Sequence, residues 1–166
     1  MIRIIGIDPG TTKIGFGIID FNEKNKNIKL IHYDLIVLKD SFSYEKIKKI
    51  YDSMSDINKE FKPDIVAIEN QFLGRNVQTL VKLTHAKTAM ILAFLNKNKK
   101  IIIEEYPPKT VKLEVTGKGN ASKEELENAI NKILNTTIDN HHLDISDALG
   151  VAICHLSKIH NKFFYT

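Results

Sequence analysis

Four acidic residues stand at positions from which they could act together in chemistry. Asp8 ends the first apolar segment, Glu69 ends a later one, and Asp144 and Asp147 lie three residues apart near the start of the last helical segment. Residues three apart share one face of a helix. If the two apolar segments are neighbouring strands, Asp8 and Glu69 project from one edge of a sheet, where open α/β sheets keep their sites. The spacing therefore predicts that the four carboxylates converge.

Converging carboxylates predict a divalent-metal site, because negative charges at one spot repel each other unless cations lie between them. Hard oxygen ligands of this kind suit Mg²⁺ or Mn²⁺. Two such ions about 4 Å apart can bind the attacking and leaving oxygens of a phosphodiester during an in-line displacement. The expected chemistry is phosphodiester hydrolysis with two Mg²⁺ ions per site, with Mn²⁺ as the alternative.

Each acid also has a structural interpretation. Asp8 could open an Asx turn before Pro9-Gly10, and Asp144 could cap the N-terminus of a helix. Asp147 could interact favourably with the positive end of the helix dipole. Glu69 is harder to explain in this way, because a carboxylate that closes an apolar strand is costly to bury without a partner. Taken singly the acids favour the structural interpretation, whereas the ordered set favours the catalytic one.

The elements that must position these acids begin with three strands. Apolar runs over 2–8, 13–20 and 28–38 are joined by short polar links, which predicts an antiparallel meander. Gly15 and Gly17 lie inside the second run, and a glycine within a strand often marks the close approach of a ligand or another backbone. Short strands over 65–69 and 101–103 each follow a helical segment and must pair in parallel. The order predicts an α/β fold with a five-stranded mixed sheet flanked by helices.

Apolar residues spaced three and four apart predict the helices. One helix runs from about residue 47 and stops at Pro63, and a longer one covers about 77–96. Residues 89–95 are apolar all round, which predicts burial on more than one side and contact with a second subunit. Three further helices are predicted: one opening at Pro107-Pro108, one begun by a capping box of Ser122 and Glu125, and one over about 144–159.

Composition bounds the classes of function. The length of 166 residues predicts a single domain spanning 1–166. The lone Cys154, inside an apolar helical run, excludes an intramolecular disulfide framework and a cysteine zinc site. No apolar stretch approaches the ~18 residues of a membrane span and no signal peptide precedes the first strand, so a cytoplasmic location is expected. The net charge of +4, from 24 basic and 20 acidic residues, is compatible with a polyanionic partner.

Four motifs follow one another along the chain: Gly6-Ile7-Asp8-Pro9-Gly10, Gly15-Phe16-Gly17, Ala67-Ile68-Glu69 and Asp144-Ile145-Ser146-Asp147-Ala148-Leu149. Together they closely resemble the RuvC Holliday junction resolvases, from Ile4 to about His155. The resemblance implies a ribonuclease H-like fold in which Asp8, Glu69, Asp144 and Asp147 are the catalytic, metal-binding acids. It also implies a Mg²⁺-dependent endodeoxyribonuclease that works as a homodimer. Such an enzyme resolves four-way DNA junctions by paired symmetric nicks, in recombination and repair, beside the RuvA–RuvB branch-migration complex.

Candidate DNA contacts lie in loops and short helices near the proposed site. Five basic residues could neutralise phosphates: Arg75, Lys109, Lys112, Lys118 and Lys123. The alternative for each is a solvated surface charge, and the resemblance places Lys112 and Lys123 near the cleaved strand. Phe72, in the polar loop after Glu69, could stack on unpaired bases or anchor the loop to the core. The resemblance implies that Phe72 wedges into the junction. His141 and His142 could ligate metal or act as a general base, but a polar loop explains them equally well, so neither is assigned a catalytic role.

Three competing functions remain open. Residues 6–12 also resemble the first phosphate loop of the actin and heat-shock ATPase superfamily, although 166 residues supply one of its two lobes. The other two are a non-catalytic junction-binding protein and a ribonuclease acting on RNA–DNA hybrids. The set of four acids favours an enzyme, and the Phe72 loop and the predicted dimer helix favour a branched DNA substrate.

Overall fold

A five-stranded mixed sheet forms the centre of the computed structural model, which describes residues 1–39, 41–70, 76–96, 100–138 and 143–160. The strands are β1 (Ile2–Asp8), β2 (Lys13–Asn22), β3 (Asn27–Val37), β4 (Ile65–Glu69) and β5 (Ile102–Tyr106), in the spatial order β3-β2-β1-β4-β5. The first three form an antiparallel meander, whereas β4 pairs with β1 and β5 with β4 in parallel. The predicted mixed sheet is confirmed.

Helices cover both faces of this sheet. In the described part of the chain they are α1 (Tyr44–Phe61), α2 (Val77–Leu95), α3 (Pro108–Thr116), α4 (Lys123–Leu134) and α5 (Leu143–His160). Helices α1 and α2 pack on one face, and α5, flanked by α3 and α4, packs on the other. The predicted capping box of Ser122 and Glu125 is confirmed at the start of α4. Among the described residues, no helix combines the length and the apolar character needed to cross a membrane.

The central strands β1 and β4 are buried on both faces, which explains their nearly continuous apolar sequences. Ile4 and Ala67 face the α5 side, and Ile5 and Val66 face the α1–α2 side. Cys154, which lies inside an apolar run of the sequence, is buried within α5. The acids Asp8 and Glu69 therefore end strands that lie in the middle of the core.

Glycines in β1 and β2 allow α5 to lie directly on the sheet. Gly6 pairs with Gly17 across the two strands. A Cβ added to Gly6 would fall 1.9 Å from the carbonyl oxygen of Ala148, and one added to Gly15 would fall 2.1 Å from that of Asp144. The prediction that the glycines of the second strand mark a close approach is confirmed, and the approaching element is α5.

Two element boundaries differ from the predicted ones by three residues, and the others lie closer to the prediction. Helix α1 begins at Tyr44, before the apolar periodicity starts, because the Ser43 side chain accepts a hydrogen bond from the backbone N–H of Lys46. Strand β5 continues to Tyr106 rather than ending at residue 103, because it is an edge strand that tolerates polar side chains. One of these, Glu105, forms a 2.7 Å ion pair with Lys87 of α2.

Candidate active site

The ends of β1 and β4 bring two of the predicted acids side by side. Asp8 and Glu69 each follow the last parallel pair, Ile7 with Ile68, so they are lateral neighbours at one edge of the sheet. They are 7% and 5% exposed, respectively. A hydrogen bond joins the two side chains. Besides burial, this hydrogen bond raises the pKa of Asp8, because it requires one of the two carboxyls in its protonated form.

Helix α5 adds a third carboxylate. One carboxylate oxygen each of Asp8, Glu69 and Asp147 lie within 4.8 Å of one another. The next residue, Ala148, has its carbonyl oxygen against Gly6, so the glycine contact sets the depth at which Asp147 reaches the strand ends. Three elements far apart in sequence thus supply one cluster, and the predicted convergence is confirmed for these three acids.

The cluster carries more negative charge than its burial favours. Burial, followed by the charges of Glu69 and Asp147, raises the pKa of Asp8 to about 9. Burial also raises the pKa of Asp147, whereas the positive charges of Lys123 and Lys112 lower it. A divalent cation among the carboxylates would remove the repulsion, and three hard oxygen donors suit Mg²⁺ or Mn²⁺. The donor set therefore fits such an ion.

Asp144, the fourth predicted acid, does not join this group of three. It lies in the first turn of α5, partly exposed, with its carbonyl oxygen against Gly15. Its negative charge nevertheless raises the pKa of both Asp8 and Asp147, so it lies close enough to influence the cluster. A role for Asp144 as a metal ligand stays a prediction.

Two of the predicted lysines border the cluster. Lys123, the first residue of α4, places its Nζ 3.6 Å from Oδ2 of Asp147. Lys112 of α3 donates a 2.7 Å hydrogen bond to the carbonyl oxygen of Ala121. Because both ammonium groups lower the pKa of Asp147, the α3–α4 side of the site is its cationic side.

The remaining predicted contacts lie elsewhere on the surface or outside the described residues. Lys118 forms a 2.9 Å ion pair with Glu125. Lys109 is exposed, and its aliphatic chain lies along Gly119. Phe72, Arg75, His141 and His142 lie outside the described residues.

Tyr106 is a neighbour of the site that the sequence prediction omitted. It pairs in register with Glu69 and so continues the row of residues at the site edge of the sheet. The polar pair before it, Glu104-Glu105, hid the end of the strand. Pro107 could have indicated that the strand extends to Tyr106, because a residue that precedes proline is restricted to extended backbone.

Comparisons with known proteins agree on one family. The family model for crossover junction endodeoxyribonuclease RuvC matches residues 4–155. The RuvC of Cytophaga hutchinsonii is 41% identical over 153 residues, which are 92% of this chain and 74% of the relative. The solved RuvC structure of Thermus thermophilus superposes with a TM-score of 0.83 at 25% identity and covers 98% of both chains. The same bacterium's RuvC in complex with a Holliday junction substrate gives a TM-score of 0.82 at 23% identity, over 98% of both chains.

The fold and the carboxylate cluster define the class: a ribonuclease H-like nuclease with an acidic triad that could hold a metal ion. Within that class the chain belongs to the RuvC family of crossover junction endodeoxyribonucleases.

Proposed function

We propose that this chain resolves four-way DNA junctions by metal-dependent hydrolysis, with Asp8, Glu69 and Asp147 as metal ligands. The observation that carries the proposal is the buried cluster in which oxygens of these three acids lie within 4.8 Å of one another. Family membership supports the substrate, because the matching relatives are named crossover junction endodeoxyribonucleases. A RuvC of the same fold is also known with a Holliday junction substrate.

In the proposed reaction the chain's own residues prepare the site and hold the scissile phosphate. When bound, two Mg²⁺ ions, or Mn²⁺ in their place, would supply a nucleophile at neutral pH and charge to stabilise the leaving oxygen. Because burial raises the pKa of Asp8, metal binding by Asp8 and Glu69 would be accompanied by the release of a proton. Lys112 and Lys123 lower the pKa of Asp147 and so favour its ionised, ligating form. Asp144 is proposed to complete the ligand set.

The same lysines are proposed to bind the phosphate that is cut. The Lys123 side chain is 58% exposed, so its ammonium group can turn from Asp147 towards DNA. Lys109, Lys118 and Arg75 are proposed to bind phosphates further along the strands. Phe72 is proposed to stack on an unpaired base at the branch point, since every base offers an aromatic face.

We further propose that two copies associate through the face formed by α1 and α2. Large exposed side chains line a groove between these helices: Tyr44 is 86% exposed, Val77 76%, Val81 47% and Leu92 46%. Contiguous exposed apolar surface of this kind marks interaction sites. A homodimer would carry two active sites and could make the paired nicks of the proposed reaction. A monomer in sedimentation at micromolar concentration would contradict this part.

Cooperation with the RuvA–RuvB branch-migration complex, and action in the cytoplasm, complete the proposal. Both follow from the family resemblance. Co-purification with RuvA–RuvB on a synthetic junction would test the first, and imaging of a fluorescent fusion of the full chain would test the second.

The decisive experiment is cleavage of an end-labelled synthetic four-way junction in Mg²⁺ without ATP. Linear duplex and an RNA–DNA hybrid serve as alternative substrates. Asp8→Asn is the test variant, and Glu23→Gln is the matched control. Glu23 is an exposed acid in the β2–β3 turn, at the ends of the strands opposite to Asp8. We expect symmetric nicks in the junction alone, made by wild type and Glu23→Gln and absent from Asp8→Asn. Binding without cleavage would indicate a junction-binding protein, and cleavage of the hybrid alone would indicate a ribonuclease.

A further inference from the structure

A part-buried hydrogen bond joins the strand end beside Glu69 to the helix that carries Asp147. The phenol oxygen of Tyr106, the last residue of β5, lies 2.8 Å from Nδ1 of His155 in α5. The two rings meet edge to face, with centroids 5.9 Å apart and planes at 64°. His155 is 2% exposed, and Tyr106 packs against the apolar core on the α5 side of the sheet.

Both ends of this link lead to metal-binding acids through the backbone. Tyr106 is the register partner of Glu69, and its carbonyl oxygen accepts a 2.8 Å hydrogen bond from the N–H of Asn70. His155 follows Asp147 by two turns of α5, about 12 Å along the helix axis. The link therefore connects the two elements that hold Glu69 and Asp147 at their separation.

The neighbouring contacts of α5 do not provide the same connection. Near the site the helix rests on the sheet through glycine and apolar contacts, such as Leu149 against Gly17, which are not directional. At its far end Ser157 and Lys158 bond Glu114 at 2.7 Å and 2.6 Å, and Glu114 belongs to α3 rather than to the sheet. The Tyr106–His155 bond is directional and reaches the sheet, so it can fix the slide and rotation of α5 relative to β4 and β5.

Tyr106 and His155 can keep their hydrogen bond near pH 7, although burying this polar pair costs folding free energy. Burial lowers the pKa of His155 and raises the pKa of Tyr106 to about 12, so both stay neutral around pH 7 and remain able to share a hydrogen bond. Nε2 of His155 is buried and finds no hydrogen-bond partner among the described residues. An unsatisfied buried polar atom costs free energy, and two apolar side chains of similar shape would avoid that cost.

We propose that Tyr106 and His155 are positioning residues, which hold α5 against the end of β4 so that Asp147 stays within ligand distance of Glu69. This inference rests on the proposed function, because it takes these acids to be metal ligands. Outer partners that orient metal ligands change metal affinity about 10–100-fold when they are removed. A site that depends on such a link loses metal affinity when the link is cut, even if the fold survives.

The test measures Mn²⁺ binding to the full chain without DNA, by electron paramagnetic resonance of the free ion, together with the melting temperature. The double variant Tyr106→Phe/His155→Leu removes both polar partners at once. We expect it to melt near the wild-type temperature and to bind Mn²⁺ about tenfold more weakly, the lower end of the range for outer partners. Tyr106→Phe alone should show a smaller loss in the same direction, and it decides the question if the double variant fails to fold.

Ser157→Ala is the matched control, because it removes a buried hydrogen bond from the same helix to Glu114 of α3. We expect it to leave the Mn²⁺ affinity unchanged. A folded double variant, or Tyr106→Phe, with wild-type affinity would overturn the inference, as would an equal loss in Ser157→Ala. If wild type itself binds Mn²⁺ no better than Asp8→Asn, the proposed metal site is wrong, which is a different outcome from the failure of the positioning link alone.

Discussion

Asp8→Asn removes one ionisable group from a cluster whose burial disfavours charge. Asp8 is 7% exposed and shares a hydrogen bond with Glu69. Asn has nearly the same shape and can still hydrogen-bond, but it stays uncharged at every pH. We therefore expect the variant to lose cleavage and, in the absence of metal, to be more stable than wild type at neutral and alkaline pH.

The size and sign of this effect follow from the pKa of Asp8. Burial and the neighbouring acids raise that pKa from 3.8 in the unfolded chain to about 9 in the folded, metal-free protein. Between these pH values the folded state binds more protons than the unfolded state, so the stability of wild type falls as the pH rises. One pKa unit corresponds to about 1.4 kcal/mol, and pH 7 lies about 3 units above the pKa of Asp8 in the unfolded chain. Ionisation of Asp8 in the unfolded chain therefore lowers the free energy of unfolding by roughly 4 kcal/mol at pH 7.

Thermal unfolding in EDTA, from about pH 5 to about pH 8, measures the difference between the two proteins. The advantage of Asp8→Asn should grow with pH, and each kcal/mol should appear as roughly 2–4 °C in melting temperature. Mg²⁺ should reverse the order, because wild type alone then gains stability from ligand binding. Glu23→Gln, an exposed acid in the β2–β3 turn, should show no such trend. A difference that does not change with pH, or no difference at pH 8, would refute the conclusion that burial disfavours the Asp8 charge.

Three further substitutions test the packing of α5, the DNA contact and the dimer. Gly6→Ala should destabilise the chain by about 3 kcal/mol or more, because the added Cβ would lie 1.9 Å from the carbonyl oxygen of Ala148. A wild-type melting temperature would show that α5 does not rest on this strand. Lys123→Gln should lower the salt-dependence slope of junction binding by about 0.9, measured by fluorescence anisotropy, and an unchanged slope would exclude a phosphate contact. Leu92→Glu places a charge on the exposed face of α2 and should convert a dimer to a monomer in sedimentation, with circular dichroism unchanged. A persistent dimer would locate the interface elsewhere.

The strand-borne half of the site could be predicted because its signals are local. An apolar run that stops at a carboxylate marks both Asp8 and Glu69, and the helical segment between meander and fourth strand requires parallel pairing. Because β1 and β4 are parallel neighbours, the acids that end them lie at the same edge of the sheet. The glycines of β2 gave a second signal, since a strand interior rarely gains from glycine unless something approaches it closely.

The helix-borne half could be predicted only in part, because it depends on how α5 crosses the sheet. The three-residue spacing of Asp144 and Asp147 puts both on one face of a helix but does not give the depth of either. In the fold the backbone of Asp144 rests on Gly15, while the carboxylate of Asp147 reaches Asp8. Tyr106 escaped prediction for a related reason, since its importance comes from pairing with Glu69 on an edge strand whose preceding residues are polar.

Two features at the same edge of the sheet lower the stability of the fold, and the proposed metal site would explain both. Gly6 and Gly15 weaken the strands in which they lie, yet any side chain there would push α5 away and separate Asp147 from Asp8. The closeness that the glycines permit then forces buried carboxylates together and raises the pKa of Asp8. Neither feature would benefit a domain that only had to fold. With α5 packed slightly further from the sheet, alanine in place of the glycines and an amide in place of a carboxylate would make the domain more stable. A divalent cation between the carboxylates would convert the second cost into binding energy, so the metal site proposed for this cluster would account for the close packing of α5.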